Sequence, residues 1–176
     1  GICVEAMLFT GVDTATKHSC MQKIIAFCAE TGTRFAYIDY LTHIYNRNAL
    51  ERDLENVNRD SRGWYIMADL NNLKVVNDTI GHSAGDELLQ GFAALLEQVA
   101  GNNGRVYRQG GDEFVVLYMQ DAQEFAQKLA ERCRECNQSR NVPISYAIGY
   151  CGFGEEDFID MADQRMYENK RKVKQR

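Results

Sequence analysis

The chain has 176 residues, a net charge of −5, 45% hydrophobic and 26% charged residues, and six cysteines. That length and composition suit one globular domain with a short appendage and a sizeable core. The acidic balance argues against a nucleic-acid-binding surface, and cysteines without framework spacing point to reduced thiols in a cytosolic setting.

In chain order, residues 2–9 read as a strand that leaves through a polar stretch at 10–14. Residues 15–30 carry Met21, Ile24, Ile25, Phe27 and Cys28 at helical spacing, with Gly32 as a C-cap. This opening reads either as the end of an upstream module with its connecting helix or as an extra layer on the main domain. The first residue is Gly1, and the expectation is a piece of a longer protein whose upstream sensory domain, or membrane anchor, lies outside it. No stretch is long enough to span a bilayer.

From Asp39 the pattern sharpens. Residues 48–57 form a helix, and "GWYIMADL" at 63–70 is a strand whose nearly unbroken apolar run implies burial on both faces. A helical turn at 73–77 precedes a long amphipathic helix at 85–100, with Leu88, Leu89, Phe92, Leu95, Leu96 and Val99 on or near one face. Strands at 105–108 and 114–119 flank two glycines. A helix at 122–136, a strand at 143–151 and a helix at 157–172 complete the chain. Alternating strands and helices with one tight hairpin give an α/β sheet with a central antiparallel pair. Cys133 and Cys136 form a CxxC pair without a second pair or histidine, which suits two thiols one turn apart on a helix better than zinc.

"YRQGGDEFVVLY" at 107–118 concentrates the chemistry. Gly110 and Gly111 suit a two-residue turn that needs positive φ, and their missing side chains admit a ligand close to the backbone. Asp112 and Glu113 follow at the start of a strand, pointing to opposite faces, and Asp69 ends the earlier buried strand. If those strands are neighbours, Asp69 and Asp112 converge at one sheet end. Carboxylates so placed repel unless a cation neutralises them, and hard oxygen ligands suit magnesium. Two exposed acids at strand ends are the competing reading of the spacing.

Four motifs in order, across residues 39–174, resemble the GGDEF or diguanylate cyclase family. They are "DYLTHIYNRNAL" at 39–50, "ADLNNLKVVNDTIGHSAGDELL" at 68–89, "YRQGGDEFVVL" at 107–117 and "MADQRMYENKRKVK" at 161–174. The resemblance implies a domain over 37–176, preceded by the module and connecting helix of 1–36. It also implies a palm-like, nucleotidyl-cyclase fold: a central mixed sheet with the antiparallel GGDEF hairpin, flanked by helices. The implied reaction condenses two GTP into cyclic dimeric GMP, with release of pyrophosphate, across a homodimer. By position, Asp69, the Leu70 carbonyl, Asp112 and Glu113 would hold magnesium, with manganese as the alternative. Glu113 would join the metals or assist deprotonation of the attacking hydroxyl.

Asn77 and Asp86 match guanine readers, because a carboxylate can accept both N1–H and N2–H. The plainer alternatives are a helix C-cap for Asn77 and an N-cap for Asp86. Asn72, Leu73 and Lys74 would offer backbone N–H groups to the triphosphate, and Lys170 and Lys174 would bind it by charge. His82 reads as structural, and Gly81 and Gly85 as turn residues.

Departures from the family pattern are His43 for a glycine, Asn72 and Leu73 in the phosphate loop, and Lys174 for an arginine. The window of the family's R-x-x-D product-inhibition site holds "GNNG", residues 101–104. A catalytically silent GTP-binding regulatory module is the alternative function. A polymerase-like enzyme acting on nucleic acid lacks a basic groove.

Overall fold

A computed structural model describes residues 36–173. The expected strand at 2–9, the helix at 15–30, the Gly32 cap and Lys174 lie outside the described residues. The unit from Tyr37 onward carries the whole fold below.

Its elements are β1 (Tyr45–Asn46), α1 (Arg47–Leu54), β2 (Trp64–Leu70), α2 (Leu73–Thr79), α3 (His82–Ala100), a 3-10 turn (Gly101–Asn103), β3 (Gly104–Gly110), β4 (Glu113–Tyr118), α4 (Ala122–Asn137), β5 (Tyr146–Gly152) and α5 (Phe158–Val173). The strands form one sheet in the order β1-β3-β4-β2-β5. Only β1 and β3 run parallel, and the other neighbours are antiparallel. This is the mixed sheet with a GGDEF hairpin that the sequence implies, with helices on both faces.

Alternation along β2 assigns the layers. Ile66, Ala68 and Leu70 face Leu88, Phe92 and Leu96 of α3 and Phe125 and Leu129 of α4. Tyr65 and Met67 face the other way, toward Ala49 and Leu50 of α1 and Ala162 and Met166 of α5. Six of the seven β2 residues are buried, as expected of a strand covered twice. The same alternation puts Asp69 on the α5 side.

Two local features fix α5 against the sheet. A Cβ on Gly149 would collide with the backbone of α5 at Ala162 and Met166, so glycine lets helix and strand meet closely. The outer edge of β5 is then capped by α5 side chains. Asn169 Oδ1 accepts from the Ile148 N–H at 3.1 Å, and Arg165 donates to the Tyr150 carbonyl at 2.7 Å. Backbone groups that would otherwise template another strand are thus satisfied.

The boundaries depart from the sequence reading where caps decide them. α3 begins at His82, three residues early, because Gly81 with φ 119° ends the preceding loop. The hairpin strands run to Gly110 and from Glu113, since Gly110 pairs with Glu113 across a turn of Gly111 and Asp112, with a register shift between Arg108 and Gly110. Asn46 caps α1 by accepting from the Ala49 N–H, and Asp121 caps α4 by accepting from the Glu124 N–H. Among the described residues, no helix is long and apolar enough to cross a membrane.

Candidate active site

The sheet end carrying the hairpin brings the predicted acids together. Asp69 of β2 lies opposite Glu113 of β4 in the antiparallel register. One step on, the Leu70 N–H donates to the Asp112 carbonyl at 2.9 Å, extending the ladder into the turn. Asp112 therefore occupies the turn itself rather than the strand start expected from sequence. Gly111 has φ 53°, which glycine adopts without strain. A Cβ on Gly110 or Gly111 would meet nothing within 4 Å, so open space lies over the turn.

Negative charge is in surplus here. The Glu113 carboxyl is pushed up from its ordinary range by partial burial first, then by Asp112, Asp69 and Asp163, with Lys170 opposing. Asp69 is 5% exposed. Its Oδ1 accepts from Lys170 Nζ of α5 at 2.6 Å, an ion pair between a buried aspartate and a half-buried lysine. Among the described residues, no three acidic, histidine or cysteine side chains close into a ready metal cage. The donors nonetheless fit a hard divalent cation. They are carboxylates on a rigid sheet end, where burial and then mutual repulsion raise Glu113.

The two guanine-reader candidates sit across the junction of α2 and α3. A Cβ at Gly85 would run into the Asn77 side-chain amide. Gly85 therefore provides the hollow in which Asn77 packs, and it lies within α3, not in the turn as the sequence suggested. Asp86, next to it, is exposed. Neither residue is a helix cap: α2 ends at Thr79 with Ile80 as its cap, and Gly81 precedes α3. His82 is an exposed first residue of α3. Asn72 takes the left-handed conformation, φ 63°, before α2 and makes no side-chain cap bond. Leu73 begins α2 and packs on the core, and Lys74 is exposed.

Sequence reasoning missed the brace behind the hairpin. Arg108 donates through Nε and Nη2 to the Gly111 carbonyl, at 3.1 and 2.8 Å, and through Nη1 to Asp39 Oδ1 at 3.1 Å. Asp39 also accepts from the Thr42 N–H and hydroxyl at 2.9 and 2.6 Å. Burial raises the Asp39 carboxyl, but the Thr42 and Arg108 hydrogen bonds outweigh it and hold the carboxyl below its ordinary range. The signal was present: Asp39 and Thr42 open the first motif, and Arg108 opens the third. His43 takes φ 61° in this loop, the conformation a glycine there would adopt freely.

At the far end of β3 and β4, the "GNNG" window forms the 3-10 turn and its exit. It borders a cleft of about 730 Å³ that Asp53, Arg62 and Arg105 also line. Arg105 is held there by Asp53, at 2.9 Å, and Asp53 also accepts from the Tyr107 hydroxyl at 2.7 Å.

Residues 36–176 match the family described as "Diguanylate cyclase, GGDEF domain". The chain belongs to the GGDEF domain family. It is 30% identical over 141 residues to the probable diguanylate cyclase DgcI of Escherichia coli, covering 77% of this chain and 31% of that one. It is 31% identical over 159 residues to the signaling protein YkoW of Bacillus subtilis, covering 80% of this chain and 20% of that one. The GGDEF chain thus spans less than a third of either relative. Among solved structures it resembles the coiled coil and GGDEF domain of DgcB from Caulobacter crescentus in complex with c-di-GMP. The TM-score is 0.77 at 24% identity, covering 89% and 92% of the two chains, a likeness of fold. It also resembles the GGDEF domain of TpbB, or YfiN, from Pseudomonas aeruginosa, with TM-score 0.68 at 28% identity, covering 77% and 90%.

Proposed function

We propose that this GGDEF domain is a diguanylate cyclase that condenses two GTP molecules into cyclic dimeric GMP across a homodimer. The observation that carries the reading is the pairing of Asp69 with Glu113 beside the Gly111–Asp112 turn, where excess carboxylate charge meets open space.

Asp69, Asp112, Glu113 and the Leu70 carbonyl would hold magnesium or manganese. Such ions lower the pKa of an attacking hydroxyl and screen charge on an α-phosphate and its leaving group. The chain's own residues bind and orient. Asp86 accepts the guanine N1–H and N2–H, and Asn77 supplies a further amide to the base. Adenine lacks that donor pair and would leave the carboxylate unpaired, which penalises ATP. Gly110 and Gly111 leave room for the nucleotide over the turn. The Asn72, Leu73 and Lys74 N–H groups would bind the triphosphate, and the Lys170 and Lys174 ammoniums would add charge to it.

Each 3′-hydroxyl attacks the α-phosphorus of the GTP on the facing protomer. The bond to the β-phosphate oxygen breaks, pyrophosphate leaves and the hydroxyl proton passes to Glu113 or water. Two such steps close the ring, so one protomer alone cannot complete the product. Residues 15–36 would transmit dimerisation by helix pairing, and the GGDEF domain would work in the cytoplasm.

A silent GTP-binding regulatory module is the second reading. Two observations favour it: Lys170 engages Asp69, and Asn72 takes a left-handed conformation in the phosphate loop. Dimers forced by a fused coiled coil and supplied with GTP and magnesium separate the two. Cyclase activity predicts cyclic dimeric GMP and pyrophosphate, whereas the silent module predicts bound, unconverted GTP.

A further inference from the structure

Lys170 has a place in the site before any nucleotide arrives. Its ammonium lies 2.6 Å from Asp69 Oδ1, with side-chain exposures of 24% for the lysine and 8% for the aspartate. Three features build the contact. Strand alternation points Asp69 toward α5, Gly149 lets the α5 backbone reach the sheet, and Asn169 ties the last turns of α5 to β5. Glu113 lies opposite Asp69 in the β2–β4 register, and Asp112 stands in the adjoining turn. A carboxylate this buried, beside other acids, would be costly without a counter-ion.

An ammonium and a divalent cation cannot share one carboxylate oxygen at close range without strong mutual repulsion. We propose that Lys170 is the resident counter-ion of Asp69 in the metal-free protein. It yields that carboxylate to the divalent cation and carries its charge to the triphosphate. The inference rests on the reading of Asp69 as a metal ligand. The flexible four-carbon stem permits the move without displacing α5, and the exposed side of Lys170 leaves a path toward solvent. Metal and nucleotide loading are thereby coupled through one side chain. Metal alone must displace the ammonium, whereas nucleotide gives that ammonium a new partner. By linkage each ligand then tightens the other.

The test is Mn²⁺ binding to nucleotide-free protein, followed by calorimetry or by the free-ion electron spin resonance signal. Lys170→Met should bind Mn²⁺ about fivefold to tenfold more tightly than the parent, the scale of a partly buried ion pair lost from competition. Lys170→Arg, which keeps a cation on Asp69, should bind like the parent. Asp69→Asn separates the exchange from the metal-ligand reading. If it loses Mn²⁺ while Lys170→Met binds no more tightly than the parent, the exchange is overturned and the metal-ligand reading stands. If it binds Mn²⁺ as the parent does, that reading falls and the exchange with it. A measurement on the parent is independent of how the variants fold. The Lys170 side-chain ammonium resonance should show loss of its hydrogen bond to Asp69 as Mg²⁺ is added. A resonance unmoved at saturating Mg²⁺ would overturn the proposal.

Discussion

Arg108 ties Asp39 to the GGDEF turn: one guanidinium donates to the Asp39 carboxylate and, twice, to the Gly111 carbonyl. The planar fork fixes direction as well as distance, which a lysine cannot do. Arg108 thereby joins the first motif of the chain to the third and sets the position from which Asp112 and Glu113 emerge.

Arg108→Ala should therefore lower stability by roughly 2–3 kcal/mol, because two acceptors lose a partly buried charged donor. The thermal midpoint should fall by about 5–10 °C for a domain of this size. Arg108→Lys should recover part of the stability but less of the activity, since the turn keeps a cation without its fork. Equal recovery of both in thermal melts and initial rates would make Arg108 a stabilising residue alone.

Glu113 gives a pH-dependent prediction. Its folded-state pKa is raised above the ordinary 4.5 by burial and by Asp112, Asp69 and Asp163. An acid with a raised folded pKa favours the fold below its unfolded value. That contribution is lost as pH rises through the folded value. Above it, ionised Glu113 is a net cost in metal-free protein. Glu113→Gln should melt higher than the parent at about pH 8 in chelator, with the gap closing toward about pH 4. Added Mg²⁺ should narrow the gap at high pH by stabilising the parent more. Melting curves with the opposite sign at high pH would mean that burial and the neighbouring Asp112, Asp69 and Asp163 do not raise Glu113.

Much of this was legible in the chain, and the omissions have physical causes. The unbroken apolar run of β2 announced a strand covered on both faces, and five of the six apolar residues assigned to the α3 face are buried, with Val99 half-buried. The spacing suggested that Asp69 and the acids after the glycine pair meet at one sheet end, and the β2–β4 register brings Asp69 opposite Glu113. The reading of these acids as metal ligands came from the family resemblance, not from the spacing. β1 was missed because its two residues, Tyr45 and Asn46, carry no periodicity and pair only through long-range parallel contact with β3 and a single bridge from Tyr45 to Ile38. The ion pair of Lys170 with Asp69 joins residues 101 positions apart, and only the packing of α5 on β5 brings them together. Gly85 was misjudged for a similar reason, since its need for hydrogen in place of a Cβ comes from Asn77 on the neighbouring helix.

The Asn77–Gly85 contact makes base recognition testable from two sides. Gly85→Ala should displace the Asn77 amide and weaken GTP binding, with little loss of helicity because alanine favours a helix. Asp86→Ala should cost GTP far more affinity than ATP, by about 1.5–3 kcal/mol for a charged acceptor of two hydrogen bonds. Calorimetry showing equal losses for both nucleotides would remove Asp86 from base recognition.

Product feedback should be confined to the active site. An R-x-x-D site holds an anionic dinucleotide through a guanidinium fork and a carboxylate. The window here offers Gly101, Asn102, Asn103 and Gly104, and the neighbouring Arg105 is engaged by Asp53. Added cyclic dimeric GMP should raise the apparent KM for GTP and leave the maximal rate unchanged. A lowered maximal rate that GTP does not rescue would require a second product site.

On this reading Asp112 and its neighbours perform phosphoryl transfer. The most direct measurement compares cyclic dimeric GMP formation by coiled-coil-forced dimers of the parent and of Asp112→Asn, with GTP and Mg²⁺ in excess. The parent should make product and the variant at least ~100-fold less, the scale on which loss of one electrostatic group slows such chemistry. Product from both at equal rates would contradict the assignment of Asp112. No product from a folded, GTP-bound, dimeric parent would contradict the cyclase itself.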